Sequence, residues 1–294
     1  MRSRALPCHY LLSSHLASAI DAYAQNGRVI VLYLDMRLQF LYAALGASMA
    51  VVCEAASIYL VGDSTMASHS ASEGIQGWGV PIASGYFTIP IVNRAKSGSS
   101  ARSWIRDGFW YNTKQLLKSG DYVVIELGHN DGGGPTASTQ RGSVVGEGSE
   151  TVTVTLTNGT TEVVHTFNYY LGKMIDEAKA KGAIPIVSSA TPNNPYENSA
   201  TIVNAPSRFE GYAKNTAASK GVPFVSHYQA CIKVYTALGK ATTESYFPKD
   251  HTHTNSAGAT QVAKAFIGGL KCSSARGILN GYFTFTSNAL AAQC

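Results

Sequence analysis

Cysteine is scarce in this chain of 294 residues: there are five, and none lies between residues 54 and 230. A disulfide-built scaffold is therefore excluded, and the core must come from apolar burial. Charge is sparse as well, with 14% charged against 45% hydrophobic residues, where soluble domains carry about a quarter charged. Lysine and arginine do not cluster, so a net charge of +5 is spread thinly and nucleic acid is a poor fit as partner. A mildly basic surface does suit an acidic substrate. The longest apolar run, Phe40–Cys53, has 14 residues, short of the roughly 20 that span a membrane, so no membrane partner is expected.

What is present at the N-terminus reads as an export signal. Residues 1–35 hold no readable motif and stand as an unexplained extension. From Met36 the chain runs "MRLQFLYAALGASMAVVCEA". One arginine, an apolar stretch and a small-x-small ending make residues 36–55 a signal peptide, cleaved after Ala55. Residues 56–294 form one domain, secreted and extracellular, and the chain is read as a monomer. The cysteines agree. Cys8 and Cys53 precede the cut, and Cys272 with Cys294 closes a C-terminal loop, a bond worth ~3 kcal/mol. Cys231 is left as a buried free thiol. Asn158-Gly-Thr is a glycosylation sequon. It falls between two alternating runs in "SETVTVTLTNGTTEVVHTF", a strong hairpin signal.

The rest of the chain alternates. Ser57–Gly62, Thr88–Val92, Tyr122–Gly128, Ile184–Ser189 and Val222–Val225 are apolar runs, as strands buried on two faces require. Between them lie helix-like stretches ending in Gly120, Gly182 and Gly221, which suit helix C-caps. Strands alternating with helices predict an α/β fold, a parallel sheet covered on both faces. Working groups gather at the carboxyl ends of such strands.

Those ends carry chemistry. The first strand runs into "YLVGDSTMA", presenting Asp63 and Ser64. The second is followed by "NRAKSGSSARS" with Gly98, and the third by "GHND" with Asn130. "KDHTHTNSAGA" near the C-terminus supplies Asp250 and His253. A serine hydroxyl needs a base to take its proton. His253 suits that task, with Asp250 holding the ring in its tautomer. The N–H groups of Ser64 and Gly98 and the Asn130 amide form an oxyanion hole, each donor worth about 10²–10³ in rate. Each residue has a plainer reading alone: Ser64 as a helix cap, Asn130 as a turn brace, Asp63 as support for the serine turn. Trp78, Trp104 and Trp110 read as core, His129 as a strand-end structural residue and His251 as a polar loop residue.

Taken together, Gly-Asp-Ser, Gly, Gly-x-Asn-Asp and Asp-x-x-His resemble the four marks of the SGNH, or GDSL, hydrolases. "YLVGDSTMA", "NRAKSGSSARSW", "LGHNDGG", "TPNNP" and "SYFPKDHTHTNSAGA" are similar to the fungal rhamnogalacturonan acetylesterases over nearly all of 56–294. The resemblance implies a three-layer α/β/α sandwich with a five-stranded parallel sheet, as in flavodoxin. It implies a serine esterase that removes acetyl groups from the pectic backbone of galacturonate and rhamnose, with catalytic Ser64, Asp250 and His253 and oxyanion donors Ser64, Gly98 and Asn130. The partner would be an acetylated pectic polysaccharide. Neither metal nor organic cofactor is implied. One departure is the lack of a disulfide after "GHND", where the hairpin at 150–167 is the candidate replacement. Within the same family the alternative is an esterase on another acetylated glycan or a short-chain ester, and two rivals of other classes stand beside this reading. His129, Asp131, His251 and His253 would be ligands in a metal-dependent phosphoesterase, and a dead site would leave a carbohydrate-binding protein.

Overall fold

The computed structural model describes residues 55–138 and 140–294. The extension at 1–35, the signal peptide up to residue 54, Cys8 and Cys53 lie outside the described residues. Among the described residues seven strands and ten α-helices follow in chain order: β1 (Ile58–Gly62), α1 (Gly79–Ile82), β2 (Ile91–Asn93), α2 (Ala101–Arg106), α3 (Phe109–Lys114), β3 (Tyr122–Glu126), β4 (Thr151–Thr155), β5 (Thr161–His165), α4 (Phe167–Ala180), β6 (Ile184–Ser188), α5 (Arg208–Ser219), β7 (Phe224–Val225), α6 (His227–Leu238), α7 (Lys240–Glu244), α8 (Ser256–Leu270), α9 (Arg276–Leu279) and α10 (Phe285–Ala289).

Five strands pair in parallel in the order β2-β1-β3-β6-β7. Side chains alternate between the faces. Ile58, Leu60, Val124, Ile186 and Val225 join one core, with Trp78, Cys231 and Phe266 from α6, α8 and the start of α1. Tyr59, Val61, Val123, Ile125 and Val187 join the other, with Trp104, Trp110, Phe167 and Phe209 from α2 to α5. The three-layer expectation therefore holds, and all three tryptophans lie in the core.

Several elements differ from their predicted bounds for local reasons. The expected strand at Thr88–Val92 begins only at Ile91, because the Thr88 N–H is donated to the Tyr282 carbonyl of the C-terminal segment. Val222–Val225 shrinks to two residues, since Pro223 has no N–H to give a ladder. The helix expected up to Gly120 is two helices. Gly108 takes a left-handed φ of +74° between them and α3 stops at Lys114, so Gly120 caps no helix. The hairpin forms as expected, with β4 and β5 antiparallel around Asn158-Gly159. Cys272 and Cys294 are bonded and Cys231 is a buried free thiol. Among the described residues no helix is long and apolar enough to cross a membrane.

The register decides where the site lies. Gly62, Glu126 and Ser188 are aligned at the last rung of β1, β3 and β6. The chain leaving each strand therefore emerges on one edge.

Candidate active site

Asp63 bends the chain as β1 ends. Its carbonyl accepts from the N–H groups of Met66 (3.2 Å) and Ala67 (2.9 Å). Its Oδ1 accepts from the Thr65 N–H (2.9 Å) and hydroxyl (2.8 Å). It braces the serine turn, as the sequence suggested. His69 adds a hold that the sequence did not suggest, its Nε2 lying 2.8 Å from the Ser64 carbonyl oxygen. Ser64 is only 7% exposed, and the hydroxyl of a small side chain so held has one direction left to take.

That direction leads to the loop between α7 and α8. His253 Nε2 lies 2.8 Å from Ser64 Oγ, and Nδ1 lies 2.7 Å from Asp250 Oδ2. The other carboxylate oxygen, Oδ1, accepts from the N–H groups of Thr252 and His253, both at 2.7 Å. The three-residue spacing thus closes a turn in which one acid orients both backbone and ring. The Gln76 N–H donates to the Thr254 carbonyl at 2.7 Å, tying this loop to the serine side. Partial burial pushes the Asp250 carboxyl up. The bond from His253 and the two backbone N–H groups outweigh that and hold it below its usual range.

The groups expected to receive an oxyanion are the Ser64 and Gly98 N–H groups and the Asn130 amide. Gly98 has a φ of +72°, a left-handed conformation that favours glycine. Neither the Ser64 nor the Gly98 N–H has an acceptor among the described residues. The Gly98–Ser99 turn is fixed to the end of β1, since the Ser99 hydroxyl donates to the Gly62 carbonyl at 3.2 Å. Asn130 donates from Nδ2 to the Ser99 carbonyl at 3.0 Å and accepts on Oδ1 from Arg141 Nη1 at 3.1 Å. Its amide orientation is fixed by both contacts, with the second N–H of Nδ2 left over. Arg141 Nη1 also donates to the Gly98 carbonyl at 3.1 Å. Arg141 was missed in the sequence, because no motif marks it in an irregular loop.

Asp131 is fully buried below, accepting from the Ala101 N–H at 2.9 Å and the Ser143 hydroxyl at 3.3 Å. Burial pushes its carboxyl up to about 8 against the pull of the Ala101 N–H, and the Asp63 charge adds to the rise. Asp131 Oδ2 and Asp63 Oδ2 are both buried without a partner. The segment that follows is tied without a cysteine. The Ser143 N–H bonds the Asp131 carbonyl and the Val144 N–H bonds the His165 carbonyl, while Arg102 grips Glu162 of β5 through Nε (3.0 Å) and Nη2 (2.6 Å). The hairpin thus does hold this segment.

The residues of the metal reading do not converge. His129 contacts the Thr191 hydroxyl, Asp131 faces Ala101, His251 pairs with Glu197 and His253 faces Ser64. Among the described residues no three His, Cys, Asp or Glu side chains are grouped to hold a metal ion. A cavity of about 440 Å³ opens beside His129 and Gly132. His129, Thr191, Asn193, Glu197, Glu210 and Tyr228 contribute to its wall, which contains no lysine or arginine. Asn158 is exposed at the hairpin tip, its Oδ1 accepting from the Thr160 N–H and hydroxyl.

Comparison with known proteins adds four findings. Residues 60–261 match the GDSL-like lipase/acylhydrolase family. A rhamnogalacturonan acetylesterase of Emericella nidulans is 44% identical over 219 residues, covering 74% of this chain and 86% of that one. A rhamnogalacturonan acetylesterase of Bacillus subtilis is 24% identical over 230 residues, covering 73% and 89%. A crystal structure of another Bacillus subtilis protein shares the fold, with a TM-score of 0.58 and 23% identity over 74% of this chain and 56% of that one.

Proposed function

The chain belongs to the GDSL-like lipase/acylhydrolase family, and on that premise we propose that it is a secreted serine esterase that removes acetyl groups from acetylated pectic polysaccharide. A carboxylic ester hydrolase follows from the family, and the pectic substrate from the names of the relatives. The observation that carries the mechanism is the unbroken contact from Ser64 through His253 to Asp250. In this reading Ser64 Oγ attacks the acetyl carbonyl carbon as His253 takes its proton. The Ser64 and Gly98 N–H groups and Asn130 Nδ2 receive the oxyanion. His253 then protonates the departing sugar oxygen, and the acetyl group remains on Ser64. Water, deprotonated by His253, attacks the acetyl-enzyme; the Ser64 Oγ–acyl bond breaks, His253 returns the proton to Ser64 Oγ, and acetate leaves. No step draws on a cofactor. Export through the signal at 36–55, glycosylation at Asn158 and a monomeric state belong to the same proposal. The Cys272–Cys294 bond supports export.

Acetate release from acetylated pectin, acetylated xylan and an aryl acetate tests the substrate. Release from pectin at the highest kcat/KM is expected, and a preference for xylan would overturn the pectic assignment. Fluorophosphonate labelling tests the chemistry. The label belongs on Ser64, is absent in Ser64→Ala and is weakened in His253→Ala. Activity lost to a chelator, with Ser64 unlabelled, would overturn the serine mechanism. N-terminal sequencing of the secreted protein is expected to begin at Ala56.

A further inference from the structure

We infer that the free edge of the Arg141 guanidinium is a carboxylate-binding site, which engages the acid group of the uronate that carries the acetyl ester. This deepens the proposed function and rests on its pectic substrate. Arg141 is exposed, yet it is not loose. Both N–H bonds of Nη1 are spent, on the Gly98 carbonyl and on Asn130 Oδ1, each at 3.1 Å. Three N–H bonds remain on Nε and Nη2, and none of them has an acceptor among the described residues. No ion pair is formed by Arg141 among them either, whereas Arg102 and Arg106 both face carboxylates. The Nε–Nη2 edge is one of the two along which a guanidinium takes a carboxylate in two parallel bonds. Here that edge is anchored in place, cationic and open to solvent.

Its position gives the edge a purpose. Gly98 and Asn130 are the groups proposed to hold the acetyl oxyanion, and Arg141 touches both. A carboxylate on it therefore sits one side chain away from the reacting ester, within reach of a single sugar ring. The cavity offers an acid no such partner. The cavity beyond His129 has Glu197 and Glu210 in its wall and no lysine or arginine. The charge pattern thus sets direction as well as affinity. The uronate turns its acid towards Arg141, and its neutral neighbour in the polymer occupies the cavity.

Two measurements test this. The first is kcat/KM for acetate release from an acetylated oligosaccharide of alternating galacturonate and rhamnose with free acids, against the same material methyl-esterified, for wild type, Arg141→Gln and Arg141→Lys. Wild type should prefer the free acid roughly ten- to hundredfold. Arg141→Gln should bring the ratio near one and Arg141→Lys should keep part of it. A role confined to pinning Asn130 would lower both rates by one factor and leave the ratio unchanged, which overturns the inference. So would a wild type indifferent to esterification. The second is inhibition of aryl acetate hydrolysis by the unacetylated galacturonate–rhamnose oligosaccharide, against its carboxyl-reduced form. Inhibition by the acid alone, weakened by salt and lost in Arg141→Gln, is expected. Equal inhibition by both forms, or no loss in the variant, would count against Arg141. This readout does not need pectin as a substrate. An enzyme that ignores acetylated pectin but keeps the Arg141-dependent inhibition would sink the proposed function and leave the site standing.

Discussion

Two acids near Ser64 have opposite roles because their surroundings differ. Asp250 is exposed and accepts three hydrogen bonds. In Asp250→Asn the amide oxygen can still take the two backbone N–H groups, so the loop should hold. The amide nitrogen would face His253 Nδ1, favouring the tautomer with its hydrogen on Nε2, which cannot accept the Ser64 proton. We expect kcat to fall by roughly 10³–10⁴ with an unchanged melting temperature, and turnover near wild type would mean that another group orients the ring. Asp131 is the buried case. Its carboxyl, near 3.8 in the unfolded chain and about 8 in the fold, keeps a proton that the unfolded chain releases. Stability contributed by this group therefore falls as pH rises between those values. Asp131→Asn keeps the shape with no proton to lose. Between pH 5 and pH 9 the melting temperature of wild type should drop by on the order of 5 °C more than that of the variant. Parallel curves would show that Asp131 stays unprotonated.

Among the elements, those buried evenly on two faces or ended by a clear turn were legible in the sequence. β1, β3 and β6 are apolar runs because helices cover both sides. The hairpin is legible from Asn158-Gly159, and α4 and α5 from their polar outer faces. α8 is harder. Ten of its fifteen residues are buried, three of them glycines, so no polar face gives it a helical period. Ser64, Gly98, Asn130, Asp250 and His253 are legible since each stands at a strand end or in a short marked turn. Arg141 and His69 are not, because their partners depend on how loops return across the sheet edge. The hairpin's attachment is of this kind: Arg102 on α2 meets Glu162 on β5 across 60 residues of sequence. The Arg102 side chain is wholly buried, and removing its acid would strand a charge. Glu162→Ala should cost about 3 kcal/mol in urea denaturation. A cost below about 0.5 kcal/mol would mean that solvent reaches Arg102 when the acid is gone.

At the scale of the whole molecule, one polar cluster joins the sheet to one helical layer. Glu126, on the last rung of β3, accepts from Trp78 Nε1 (2.8 Å) at the start of α1, from the Ser188 hydroxyl (2.6 Å) of β6 and from His227 Nδ1 (2.8 Å) of α6. His227 Nε2 in turn lies 2.9 Å from the Val262 carbonyl of α8. Both neighbours of the ring are acceptors, so both ring nitrogens carry hydrogen and the imidazole is charged. Burial pulls its pKa down, but contact with Cys231 and the Glu126 carboxylate raises it well above 6.5. The pair spans sheet and helices directly below the strand ends that lead to Asn130 and the Thr191 loop. Its stability contribution is fully present below pH 6.5, where the unfolded histidine is also charged. It is lost as pH rises through the higher folded value. His227→Gln keeps one donor for Glu126 but turns its oxygen towards the Val262 carbonyl and leaves the acid buried without a counter-charge. We expect a loss of roughly 3–5 kcal/mol at pH 6. The gap to wild type should narrow between pH 6 and pH 8, because the unfolded histidine releases its proton in that range while the fold still holds it. Denaturation at both pH values checks the sign: a gap that widens with pH would show that the ring is not held charged in the fold.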